Sequence, residues 1–134
     1  MNTSAPLHEI LYASTMAANA PLSIVADIAA RARITNQSRQ ITGLLVFDGM
    51  RFCQQLEGSY PEVATLMERI RRDPRHGQLE ILHEGPLAGR RFKRFSLGYT
   101  SHEDVDALER LAQLRGQAAL DAFISLLPNF DTDL

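Results

Sequence analysis

One stretch constrains this chain more than any other. Ile41-Thr42-Gly43-Leu44-Leu45-Val46-Phe47 and Met50-Arg51-Phe52-Cys53-Gln54-Gln55-Leu56 are strand-like runs separated only by Asp48-Gly49. Asp-Gly between two such runs predicts a β-hairpin with a type I′ turn, whose twist matches that of the strands. A lone hairpin is marginal in water and needs further strands or helices against it. The flanking sequence supplies them. His8-Glu9-Ile10-Leu11-Tyr12-Ala13 reads as an earlier strand. Stripes of Leu22, Val25, Ala29 and of Ile24, Ile28, Ala32 predict a helix from about Leu22 to Thr35, with Pro21 at its first position. After the hairpin, Ser59-Tyr60-Pro61-Glu62 has the form of a capping box. It heads a helix with Val63, Leu66, Met67 and Ile70 on one face, stopped by Asp73-Pro74. Gln78–Leu82 reads as a fourth strand and Phe92–Thr100 as a fifth, with Phe95, Leu97 and Tyr99 on one side. A helix from about Ser101 to Arg115 carries Val105, Leu108, Leu111 and Leu114. Another follows Gly116, carries Leu120, Phe123, Ile124 and Leu127, and stops at Pro128.

That order predicts an α+β fold: a ferredoxin-like βαββαββ sandwich with two helices on one sheet face and a C-terminal helix pair covering the other. The 134 residues suit one domain. Residues 1–100 form the sandwich and residues 101–134 a helical cap of the same domain. A net charge of -2 creates no general field for nucleic acid or anionic membrane. Cys53 is the only cysteine, which excludes an intramolecular disulfide and a cysteine-based zinc site. His8, His76, His83 and His102 lack metal-ligand spacing, so no metal is expected. No apolar run reaches membrane length, and Met1–Pro6 is not a signal peptide, so a cytoplasmic protein is expected. Paired carboxylates, a Gly-rich phosphate loop and a nucleophile elbow are all missing, which argues against an enzyme. The segment Ser14–Pro21 contains neither glycine nor arginine, which counts against an acylphosphatase-like loop.

Several polar residues fall where apolar ones are expected. Phe52, Gln54 and Leu56 share one strand face, as do Ile10, Tyr12 and Ser14. An unpaired buried amide costs about 1–3 kcal/mol. Gln54 therefore needs partners: either Tyr12 and Gln54 satisfy each other and nothing more, or both belong to a site. Asn36 after the first helix is either a C-cap or a ligand-binding amide. Arg75-His76 is either a solvated turn or an anion contact. Cys53 points opposite Gln54 and reads as a structural thiol. Arg69-Ile70-Arg71-Arg72 reads as a solvated face at a helix C-terminus.

Taken together, residues 8–100 resemble the BLUF family of blue-light sensors that use FAD. Ile41-Thr42-Gly43-Leu44-Leu45 and Phe52-Cys53-Gln54-Gln55-Leu56-Glu57-Gly58 are similar to the family's I-T-G-x-L and F-x-Q-x-L-E-G strands. Tyr12-Ala13-Ser14 resembles Y-x-S, Asp73-Pro74-Arg75-His76 resembles D-x-R-H, and Arg90-Arg91-Phe92 resembles R-x-F. Ile28 and Asn36 fall in step with the family's flavin-contacting Ile and Asn.

The resemblance implies FAD held between the two helices by Tyr12, Ile28, Thr35, Asn36, Gln54, Arg75 and His76. It implies that light drives an electron and a proton from Tyr12, and that Gln54 then rotates or tautomerises and shifts the absorption to the red. Ser14, Phe95, Ser96 and Leu97 would carry the signal to the C-terminal helices, and from there to a protein partner or a homo-oligomer. The fifth strand departs from the family's W-x-M, reading Phe95-Ser96-Leu97, and Thr35 stands where an Asn often precedes the flavin-binding Asn. Flavin binding and photochemistry are expected to survive both changes. The alternative is a light-insensitive interaction module.

Overall fold

The computed structural model describes residues 6–18, 23–100 and 106–132. The expected helix start at Pro21-Leu22 and the helix onset at Ser101–Val105 lie outside these residues. The elements run β1 (Leu7–Met16), α1 (Ser23–Ser38), β2 (Thr42–Phe47), β3 (Arg51–Ser59), α2 (Tyr60–Arg72), β4 (His76–Leu87), β5 (Phe95–Tyr99), α3 (Ala107–Leu111), α4 (Gln117–Leu126) and β6 (Asp131–Thr132). The six strands form one sheet in the order β4-β1-β3-β2-β5-β6. All pairs are antiparallel except β2 and β5. This is the α+β sandwich expected.

Side-chain alternation divides the molecule into two cores. Ile10 and Tyr12 of β1, Leu45 and Phe47 of β2, and Phe52 and Leu56 of β3 face α1 and α2, where they meet Val25, Val63 and Met67. Leu11, Ala13, Leu44, Val46 and Cys53 face the other way, onto Leu108, Leu111, Ala119 and Phe123 of the C-terminal helices. Both faces of the sheet are dry, which explains why β2 and β3 read as continuous runs rather than strict alternation. Each large apolar side chain buried here contributes about 1.5–3 kcal/mol.

Local detail differs from expectation in several places, each for a physical reason. The hairpin forms without a type I′ turn: Gly49 has φ 99° but no neighbouring residue joins it at positive φ. Instead Asp48 Oδ1 accepts the N–H groups of Met50 (2.9 Å) and Arg51 (2.6 Å), an Asx arrangement that closes the turn from the side chain. Helix α1 runs past Thr35, so Asn36 lies inside its last turn. The actual stop is Gln40, at φ 57°, with Gln40 N bonded to Gln37 O (3.1 Å) and Ile41 N to Asn36 O (2.8 Å). This is a Schellman ending with Gln in the left-handed position. Ser59 precedes α2 in extended conformation, but its side chain makes no capping bond. Strand β4 is longer than Gln78–Leu82, and β5 begins at Phe95 rather than Phe92. Leu114 is not on a buried stripe but at the surface. Strand β6, unanticipated, covers the outer edge of β5 by pairing with Gly98 and Tyr99.

Gly43 fixes how closely β2 approaches β3. Its φ is 150°, and a Cβ there would lie 1.9 Å from the Gln55 carbonyl oxygen. Only glycine fits.

Candidate functional site

A cleft of about 210 Å³ opens between α1 and α2 over the sheet. Strand register puts Tyr12 directly opposite Gln54 on its floor. Both are buried, and the Tyr12 hydroxyl donates to Gln54 Oε1. Burial pushes the Tyr12 phenol well above its ordinary pKa, with smaller contributions from Cys53 and Asp73. The phenol is therefore neutral and keeps its proton for the amide. Since Oε1 accepts that hydrogen bond, the Gln54 NH₂ is the end left to meet another group.

Asn36 enters from α1. It is 1% exposed, and neither its Oδ1 nor its Nδ2 has a hydrogen-bond partner. Leaving both buried and unmade costs about 1–3 kcal/mol per group. A side chain of this kind on the wall of a cleft fits a ligand edge that offers a donor and an acceptor side by side. The imide edge of an isoalloxazine has that pattern.

The mouth of the cleft is cationic. Arg75 donates from Nε to both Asp73 oxygens (2.9 and 3.0 Å), and Arg75 N bonds Asp73 Oδ1 (2.9 Å). These bonds hold the Asp73 carboxyl below the usual carboxylate range and raise the Arg75 guanidinium. Arg75 is thus fixed in place rather than a solvated turn residue. His76 opens β4, donates from Nε2 to the Ile70 carbonyl (2.5 Å) and lies 6.5 Å from the Tyr12 ring, centroid to centroid. Arg31 and Arg69 complete the cationic lining. Arg69 is exposed, as a solvated face requires, and also borders the cleft. Arg31 is one turn from Ile28 and Thr35, and the helical period could have found it.

Tyr12, Ile28, Thr35, Asn36, Gln54, Arg75 and His76 all line this one cleft. Ser14, Phe95, Ser96 and Leu97 do not. Phe95 and Leu97 belong to the α1/α2 core beside it. Ser96 pairs with Leu44, on the sheet face toward the C-terminal helices, and its buried Oγ has no partner. Ser14 is likewise buried with an unpartnered Oγ.

A second polar group escaped the sequence reading. On the face behind Gln54, Gln55 Nε2 donates to Glu9 Oε1 (2.7 Å), and Glu9 also holds Arg91 and His83. Beside them the fully buried Glu57 carboxylate accepts Arg91 N (3.0 Å), Phe92 N (3.1 Å) and Thr42 Oγ1 (3.1 Å). This network fixes the segment that leads into β5.

The family model described as "BLUF: Sensors of blue-light using FAD" matches residues 7–98. The chain belongs to the BLUF family. The blue light- and temperature-regulated antirepressor BluF of Escherichia coli is 29% identical over 104 residues, covering 74% of this chain and 26% of that protein. The photoactivated adenylate cyclase subunit alpha of Euglena gracilis is 31% identical over 88 residues, or 64% of this chain and 9% of that protein. The chain therefore spans a small part of these curated relatives. The dark-state structure of BlrB, a BLUF protein, superposes with a TM-score of 0.77 at 27% identity, covering 93% of this chain and 97% of that one. The family is one of flavin-based blue-light sensors. Among the described residues no helix is long and apolar enough to cross a membrane.

Proposed function

We propose that this BLUF protein is a blue-light photoreceptor that binds FAD in the α1–α2 cleft and reports illumination through the Tyr12–Gln54 hydrogen bond. The buried, unpartnered amide of Asn36 beside that bond carries the reading, because apolar packing cannot explain it. Bound flavin supplies the light absorption and the electron acceptor. Everything else is the work of this chain. Asn36 binds the ring edge with one donor and one acceptor. Ile28 and Thr35 pack against it from the same helix. Arg75, Arg31 and Arg69, with His76 beside them, would hold an anionic phosphate tail at the mouth of the cleft.

Tyr12 serves as donor of an electron and a proton. Its raised pKa keeps the proton on oxygen in the dark, and the hydrogen bond gives it one path, to Gln54 Oε1. Gln54 is the bistable element. Neutral hydrogen bonds net about 0.5–1.5 kcal/mol each, so two amide arrangements lie close in energy. The output runs from β5 and residues 101–134 to a protein partner or a homo-oligomer.

Phe95 and Leu97 lie outside the cleft, so their departure from the family pattern leaves the flavin contacts intact. This favours a working sensor over a light-insensitive module. The test is a visible spectrum of the yellow holoprotein before and after blue light. A reversible red shift is expected in the wild type and its loss in Tyr12→Phe. A colourless protein after reconstitution with FAD, or a normal photocycle in Tyr12→Phe, would overturn the reading.

A further inference from the structure

Three guanidinium groups and one carboxylate line the α1–α2 cleft: Arg31 from α1, Arg69 from α2, and Arg75 with Asp73 from the turn before β4. They are not equivalent. Asp73 holds the Arg75 side chain through both carboxylate oxygens, 2.9 and 3.0 Å from Nε, and through a further bond to Nη2. That pair is neutral as a unit. Arg31 and Arg69 are exposed, and among the described residues neither has a hydrogen-bond or ion-pair partner. Asp27, one turn before Arg31, acts on Arg75 from outside the lining and pairs with neither. The cleft therefore carries two unpaired positive charges, one on each helix that walls it.

Burial sorts the lining by depth. Tyr12, Asn36 and Gln54 are buried, whereas Arg31 and Arg69 are exposed, so the floor is polar but uncharged and the rim is cationic. A ligand that fits is neutral at its inner end and anionic at its outer one. Size limits how much of it the cleft can take. The volume of about 210 Å³ is below the roughly 300–1,000 Å³ of pockets that enclose a drug-sized molecule. A ring system fits, and a whole dinucleotide does not.

We infer that Arg31 and Arg69 form a phosphate clamp that selects phosphorylated flavins over riboflavin and reads nothing beyond that phosphate. The inference rests on the flavin reading proposed above. A phosphate monoester carries about −1.5 to −2 charges at neutral pH, which two unpaired guanidiniums match in charge and their planar forks match in shape. Arg75 can still donate to the ligand, but Asp73 already balances its charge, so the selection falls to Arg31 and Arg69. The adenosine of FAD would lie outside the cleft, and FMN would serve as well.

The test is an equilibrium titration of the full chain, freed of flavin, with riboflavin, FMN and FAD, read by flavin fluorescence. At about 50 mM salt, FMN and FAD should bind within about threefold of each other and roughly tenfold tighter than riboflavin. That advantage should shrink toward about 300 mM as screening grows. Arg31→Gln and Arg69→Gln should each weaken FMN and FAD about three- to fivefold and leave riboflavin unchanged. Unchanged riboflavin binding doubles as the check that each variant folds. The double variant should bind all three alike, and Arg69→Lys, which keeps the charge, should retain most of the selection. Arg72→Gln, on the exposed end of α2 outside the cleft, should change none of the three affinities. Equal affinity of the three flavins for the unaltered chain, an equal loss of riboflavin in the Arg31 and Arg69 variants, or FAD binding more than about threefold tighter than FMN would overturn the clamp and leave the flavin reading standing. Binding of none of the three would overturn that reading, and the clamp with it.

Discussion

Two buried residues answer questions with opposite signs. Asn36 is an expense in the flavin-free protein: a helix residue with both amide atoms buried and unmade. Asn36→Ala removes that cost as well as the ligand contact. The melting temperature of the flavin-free protein should therefore hold or rise, while FAD affinity falls by about 1–3 kcal/mol, roughly five- to 150-fold. A thermal scan of the flavin-free variant measures the first and calorimetric titration with FAD the second. A residue that merely supported the fold would lower the melting temperature first. Tyr12 works the other way. Burial raises its pKa above the unfolded value of 10.0, so the folded state keeps a proton that the unfolded chain loses. That contribution to stability is complete below pH 10 and shrinks as pH rises beyond it. Cys53, also raised by burial, adds the same slope from its own unfolded value of 9.0. Tyr12→Phe should flatten the fall of melting temperature above about pH 10 and leave the slope between pH 9 and 10 unchanged. Thermal scans across that range decide it.

At the scale of elements, what the sequence could reveal follows from the range of the interaction. The hairpin, the two helices over it and the inward Gln54 all rest on local pattern, and all are present. Asn36 was readable as an amide at a helix end, but α1 ends on Gln40 in a left-handed conformation, which has no glycine to announce it. The start of β5 lies later than alternation predicts because it is set at long range: Glu57 occupies the N–H groups of Arg91 and Phe92, which cannot then join a ladder. Alternation alone could not say that a buried strand would carry that carboxylate inward. The consequence is testable. Glu57→Ala leaves those N–H groups without their acceptor and should cost about 2–4 kcal/mol, and Glu57→Gln, keeping one oxygen, should cost less. Urea midpoints of the two variants give the order. The α2–β4 turn has its own dependence. Arg75 holds Asp73 below its unfolded pKa of 3.8, so its support is present above that value and is lost as acid protonates the carboxylate. Flavin release should therefore begin below about pH 4 and be less acid-dependent in Asp73→Asn, as followed by flavin fluorescence.

In the described residues one sheet separates two cores, and this changes what the C-terminal segment can be. It is not an appendage that could be cut away after residue 100. It covers Leu11, Leu44, Val46, Cys53 and Leu82, an apolar face that would otherwise meet water. Gly116 N also ties it to the Leu82 carbonyl (2.7 Å). Removing it would test solubility rather than signalling. A narrower cut separates the two. After α4 the chain turns through Leu127–Asn129, inserts Phe130 against Phe123 with ring centroids 6.0 Å apart, and then lays β6 on β5. The strand next to the sensing core is thus edged by the last described residues, with one aromatic ring as the pin. Phe130→Ala should cost about 3 kcal/mol in global stability. Because two pairs of residues are too few to hold a strand alone, it should also detach β6. Hydrogen exchange at Tyr99, whose N–H faces β6, would then approach that of a free sheet edge, while the amides of β1 and β3 keep their relative protection. Uniform loss of protection across the sheet would instead mean that Phe130 is ordinary core packing and that β6 has no separate equilibrium.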